Sequence, residues 1–236
     1  MGYVIAMAGK GGTGKTTIAA LLVRIMKEKK LGSILAIDAD PNSNLGEALG
    51  IEVKESLGEI LDDIGSHPEK VPVSMSKDRF IEYRVQSAIA EAEGFDLLVM
   101  GKPEGPGCYC YVNNVLRGIM TKLINDYDYV VIDNEAGLEH LSRRTTRTAD
   151  ALVLVTDATA VGLRSAKRIS DLAHKLDIKI KREVTIINKA TGEGSIPQDK
   201  EIEKISLKGG SLMDLNEDAV SISTLRQIGE KIWHQN

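Results

Sequence analysis

Residues 9 to 17 read "GKGGTGKTT", a G-x-x-x-x-G-K-[ST] spacing that follows the apolar run "YVIAMA" and opens the segment "TTIAALLVRIMKEK". A loop of this kind between strand and helix collects phosphate oxygens. Gly9, Gly11, Gly12 and Gly14 let backbone N–H groups converge, with Lys10, Thr13 and Thr17 completing the cradle. The helix N-terminus adds a favourable dipole, Lys15 offers a point charge to the β and γ phosphates, and Thr16 is placed to ligate Mg²⁺. Carboxylates stand at two further strand ends: Asp38 and Asp40 in "AIDADPNSN", and Asp133 in "YVVIDNEAG". Asp38 and Asp133 are read as belonging to the Mg²⁺ shell, Asp40 as orienting or deprotonating an attacking water, and Gly137 as bringing its N–H to a γ-phosphate. Asp40 also precedes Pro41, so a turn-forming Asx role is the alternative there.

A second chemistry is written in "GPGCYCYVNN", residues 105 to 114, which holds both cysteines of the chain, Cys108 and Cys110. In an extended segment, thiols at i and i+2 emerge on one side, with Cα atoms roughly 6.6 Å apart at about 3.3 Å per residue. That spacing is near the limit for an unstrained disulfide and suits two ligands on one metal better. Two thiolates fill half of a tetrahedral or square-planar shell, and a second copy of the chain across a two-fold axis supplies the rest. A helix expected from about Val112 would favour the thiolate form. The alternative is a pair of compact apolar fillers.

The elements that must carry these residues are short β-branched runs at 3–8, 33–38, 95–101, 127–133, 151–157 and 183–188, alternating with helical spacings such as "VGLRSAKRISDLAHKL". Continuous apolar strands alternating with helices predict an α/β domain with a largely parallel sheet of about seven strands and helices on both faces. Ligands then sit beyond the carboxyl ends of the strands. One domain over residues 1–236 is expected. The polar stretch 51–94 reads as a helical insertion over the sheet, with a loop at "GSHPEKVPVS" and a helix through "SKDRFIEYRVQSAIAEAE". At the other end "TLRQIGEKIWHQN" puts Leu225, Ile228 and Ile232 on one face, as a closing helix packed on the sheet would.

Bulk properties exclude several classes. Hydrophobic residues at 42% with 27% charged give a globular balance. A net charge of −4 supplies no global attraction to nucleic acid or an anionic membrane, so neither is an expected partner. The opening "MGYVIAMAGKGG" has no basic n-region and too short an apolar run to span a bilayer, which makes a cytoplasmic location the default expectation. His67, His174 and His234 are isolated. His140 lies just beyond Asp133 and Gly137, where a structural histidine competes with an extra metal ligand.

Lys10 refines the picture. The form K-G-G-x-G-K-[ST]-[ST] resembles the deviant Walker A class of P-loop ATPases, which includes nitrogenase iron proteins, arsenite-pump ATPases and the partition and division-site ATPases. "KGGTGKTT", "DADPNSN" and "DNEAG" match that class in order. The resemblance implies an ATP-dependent homodimer in which Lys10 reaches the nucleotide of the opposing subunit. It also implies an adenine contact from Asn188 in "IINK", favouring ATP. The class often adds a G-x-I-P loop; "GGSLMD" (209–214) is the nearest candidate, with Met213 in place of the proline.

"GKPEGPGCYCYVNNVLRG" resembles the iron-protein stretch that carries a cluster cysteine, but the second cluster position reads Ala136. Together with "DNEAGLEHLSRR" and "DADPNSNLGEALG", it resembles the CooC-type maturation ATPases, and "SMSKDRFIEYR" resembles their AcsF branch. That likeness, running to about Arg168, implies an ATPase that binds Ni²⁺ between two subunits and assists its insertion into acetyl-CoA synthase or carbon monoxide dehydrogenase. Zn²⁺ suits the same four-thiolate site in vitro. The rivals are an iron–sulfur electron-transfer ATPase, with Cys110 as substitute ligand, and a positioning ATPase that uses no metal.

Overall fold

Runs of β-branched and small apolar residues become the central strands of the protein, β1 (Tyr3–Ala8), β2 (Ile34–Ala39), β4 (Phe95–Val99), β5 (Tyr129–Asn134) and β6 (Thr148–Thr156). A computed structural model describes residues 2–101, 110–135 and 148–233, with the side chains of 110–117 excepted. β2 is buried along its whole length and β1 along all but its first residue, as strands covered on both faces require. With β3 (Ala90–Ala92), β7 (Lys179–Asn188) and β8 (Ser195–Ile196) they form a sheet in the order β3-β4-β2-β5-β1-β6-β7-β8. Every pairing is parallel except that of β3 with β4.

The sheet thus has eight strands among the described residues where about seven were expected, because two very short strands extend its flanks. β3 replaces the end of an expected helix. That helix, α4 (Lys77–Ser87), stops at Ser87, and Ala90–Ala92 instead pair with Phe95–Leu97 through a turn in which Gly94 adopts φ 84°. A positive φ is cheap only for glycine, and the exposed edge of β4 offers backbone partners that a longer helix would leave unused.

Helices cover both faces. On one, α1 (Lys15–Glu28), α2 (Leu45–Leu49) and α8 (Val220–Trp233) pack Ile18, Leu22, Leu45, Ile228 and Trp233 against Ile5, Met7 and Val131. Leu225, Ile228 and Ile232 are buried there, as the apolar face of the closing helix anticipated. On the other, α3 (Leu57–Ser66), α4, α5 (Cys110–Asn125) and α6 (Ala160–Lys175) bury Ile60, Ile81, Met120 and Ala166 against Val4, Ile37 and Ile132. Full burial of one such aliphatic side chain contributes about 1.5–3 kcal/mol. α7 (Lys200–Leu207) is the exception, with no fully buried residue. α1 is also held from outside: the buried Arg24 guanidinium donates to the carbonyls of Leu212 (3.0 Å) and Leu215 (2.5 Å) and to Glu28 (2.7 Å). Among the described residues no helix is long and apolar enough to cross a membrane.

Candidate nucleotide site

β1 lies between β5 and β6, so the turn after it sits at the centre of the carboxyl-end crevice, where the strand order reverses. Two glycines of that turn are forced by sterics. A Cβ on Gly9 would collide with the Val155 carbonyl of β6, and one on Gly14, whose φ is 94°, would collide with the Asn188 amide. Gly11 and Gly12 face open space instead. Thr13 closes the turn by donating its hydroxyl to the Lys10 carbonyl at 2.8 Å. Lys15, only 7% exposed, curls back with Nζ 3.5 Å from that same carbonyl. Backbone donors, a helix N-terminus and an ammonium therefore converge where phosphate oxygens would lie.

The carboxylates are set by sheet register. Asp38 on β2 and Asp133 on β5 are direct neighbours across a parallel pair. The Thr16 hydroxyl donates to Asp133 Oδ2 at 2.6 Å, while Asp133 Oδ1 is buried with no partner. Burial pushes the Asp133 carboxyl up to about 6, against the hydrogen bond from Thr16 and the charge of Lys15. Asp38, fully buried, accepts from the backbone N–H of Asp40 (3.1 Å) and Leu45 (2.8 Å). Burial raises its carboxyl to about 7, with Asp133 and Asp40 adding repulsion against the two backbone donors. Asp40 Oδ1 accepts from the backbone and the side-chain amide of Asn42, both at 2.9 Å, so the Asx turn is formed.

Those shifts set a direction for stability. Both carboxyls start from an ordinary 3.8 and bind their protons more tightly when folded, so their contribution is complete below about pH 4 and is lost as pH rises through 6 to 7. Denaturant unfolding of ligand-free protein should accordingly show Asp133→Asn losing less stability than wild type between pH 5 and pH 8. Parallel curves for the two proteins would refute it.

A cavity of about 840 Å³, a volume typical of cofactor sites, opens over the phosphate loop. Gly11, Gly12, Gly14, Lys15, Thr16 and Thr17 line it, together with Asp40 and Asn188. Lys10 is exposed. Its ammonium lies close enough to Asp157 to help lower that carboxyl, behind the hydrogen bonds from Thr159. Asn188 braces the loop: Nδ2 donates to the Thr13 carbonyl at 2.8 Å and Oδ1 accepts from the Lys189 N–H at 3.0 Å.

Two features of the lining escaped the sequence reading. Glu135, two residues past Asp133, borders the cavity, as do Asp40 and Asn42. The G-x-I-P loop is not at 209–214, for Met213 packs against the core and Leu212–Asp214 forms a 3-10 turn tied to Arg24. The chain spells that loop at Gly194–Pro197, and Ile196 and Pro197 line the cavity beside Asn188 because β8 pairs with the end of β7. Cys108, Gly137 and His140 lie outside the described residues. Cys110 is the first residue of α5, two positions before the expected helix start. Among the described residues, no group of three or more His, Cys, Asp or Glu is placed to hold a metal.

Comparison with known proteins matches a family model described as an AAA domain to residues 2–186. The chain belongs to the AAA-domain family of P-loop ATPases. It is 43% identical to an uncharacterized ATP-binding protein of Methanocaldococcus jannaschii, over 97% of this chain and 98% of that one. To the carbon monoxide dehydrogenase accessory protein CooC of Rhodospirillum rubrum the ATPase is 33% identical, over 90% of each chain. In fold, the ATPase matches the solved septum site-determining protein MinD complexed with Mg-ADP from Pyrococcus horikoshii. That match has a TM-score of 0.70 and 21% identity, and covers 98% and 95% of the two chains. Hydrolysis of ATP is thus this protein's reaction, on a single-domain fold of the MinD/ParA type.

Proposed function

We propose that this ATPase is a nickel metallochaperone, which holds Ni²⁺ between two copies of the chain and assists its insertion into acetyl-CoA synthase or carbon monoxide dehydrogenase. The observation that carries the reading is the 33% identity to a carbon monoxide dehydrogenase accessory protein along nearly the whole chain, joined to the Cys108–Cys110 pair. MinD-like likeness below 25% identity speaks for the fold alone.

The N–H groups of residues 11 to 16 and the Lys15 ammonium bind the triphosphate, and Asn188 with Pro197 borders the base. Thr16 and Asp133 would hold Mg²⁺, and the orphaned, buried Asp133 Oδ1 is the atom whose need such an ion answers. When bound, that ion neutralises charge developing on the phosphates. Asp40 orients the water whose oxygen attacks the γ-phosphorus as the bond to ADP breaks. Lys10 of each copy reaches the phosphates of the other, and Gly137 follows the γ-phosphate. The four thiolates of two copies grip the cargo nickel, and loss of the γ-phosphate loosens them through the segment after β5.

The test is nickel content and affinity of the purified dimer with ADP and with a non-hydrolysable ATP analogue. One nickel per dimer, with affinity differing about tenfold or more between the two states, is expected, a coupling of about 1.4 kcal/mol. Equal affinity removes the switch. A brown, cluster-bearing anaerobic preparation would favour the electron-transfer reading, and no nickel uptake in either state a positioning ATPase.

A further inference from the structure

Asp38 stands at the last-but-one position of β2, fully buried, with both carboxylate oxygens already engaged by the chain itself. Oδ1 accepts the N–H of Asp40 and Oδ2 the N–H of Leu45. Between those two donors the chain turns sharply through Pro41, with Ser43 at φ 52° and its N–H returned to the Asp40 carbonyl at 3.0 Å. α2, which begins at Leu45, receives no side-chain cap from Asn44, the residue before it. The carboxylate seven residues back in sequence does that work, satisfying the first helical N–H of α2 while pinning the start of the turn.

We propose that Asp38 is a positioning residue that fixes the 40–45 loop, and with it Asp40, over the phosphate cavity, and that it is not a member of the Mg²⁺ shell. The division of labour between the neighbouring carboxylates follows from their free atoms. Asp133 keeps one buried oxygen without a partner and shares the other with Thr16, as an ion-holding group should. Asp38 has spent one oxygen on each end of a loop. Two backbone N–H groups bonded to the same buried carboxyl group hold both ends of the loop before any ligand arrives. Asp40 extends the same scheme outward, its Oδ1 closing the tip of the loop onto Asn42. The consequence for hydrolysis rests on the proposed role of Asp40 in directing water; the anchoring itself does not.

Amide hydrogen exchange on ligand-free protein, followed by NMR, reads the anchor directly. Asp40 and Leu45 amides should be protected in the wild type. Asp38→Asn places an amide donor against one of them and should speed exchange at that site about tenfold or more, the loss expected when a buried donor is left unpaired. In the steady state the same variant should lower kcat, with the KM for ATP and the Mg²⁺ concentration for half-maximal rate unchanged, whereas Asp133→Asn should raise the Mg²⁺ requirement. Unprotected amides in the wild type, or an Asp38→Asn protein that keeps its protection and needs more Mg²⁺, would overturn the proposal. The wild-type measurement decides even if the variant does not fold. Asp40→Asn assayed alongside separates the two claims: unchanged hydrolysis there would remove the water-directing role of Asp40 and leave the anchor standing.

Discussion

Replacing Lys15 by alanine should lower kcat for ATP hydrolysis by about 10²–10³-fold, the loss expected when one preorganised donor to a developing oxyanion is removed. Lys15 is nearly buried, and without ligand its ammonium leans on the Lys10 carbonyl at 3.5 Å, a long contact that a phosphate oxygen would readily replace. The same charge helps keep Asp133 ionised, so the substitution would also weaken the carboxylate proposed to hold Mg²⁺. Arginine should not rescue the rate, because a planar five-donor fork cannot take the place of a compact point charge inside so tight a turn. Single-turnover hydrolysis with saturating ATP and Mg²⁺ checks this. A Lys15→Ala enzyme within tenfold of wild type would remove Lys15 from the chemistry.

Changing Cys108 and Cys110 together to alanine should take nickel in the dimer from one ion to none measurable. Removal of both thiolates from each copy deletes every thiolate donor the chain owns, since these are its two cysteines. ATP hydrolysis without nickel should be retained, because the nucleotide cavity is lined by residues of other segments. Metal analysis of dialysed protein beside a phosphate-release assay separates the two effects. Full nickel occupancy in the double variant would end the metallochaperone reading, while joint loss of hydrolysis and metal would mean that the pair serves the fold.

Much of the nucleotide site was legible because its signals are local. The glycine spacing, the apolar strand before it and the helix after it all lie within about thirty residues, and they agree. Asp38 and Asp133 could be placed at strand ends from apolar runs alone, since burial on both faces leaves an unmistakable pattern. What their oxygens do was not legible, for it depends on the register that sets β2 beside β5 and on a backbone turn whose donors carry no side-chain signature. The edge strands failed for a related reason. Three residues of "AEA" and two of "SI" have no periodicity to read, and only the flanking strands they pair with make them strands. The G-x-I-P loop at 194–197 was spelled out in the text but lies past a short turn, whereas the competing segment at 209–214 sat ahead of the closing helix and drew the match.

The grip of Asn188 on the Thr13 carbonyl reaches beyond local geometry. On the proposed placement of the base beside Asn188, one side chain would border the nucleobase and also tether the backbone of the phosphate loop, so a single stiff frame would receive both halves of the ligand. Inorganic tripolyphosphate would therefore meet a cradle whose shape is already imposed from the base side, and the purine adds its own contacts without first having to organise those of the phosphates.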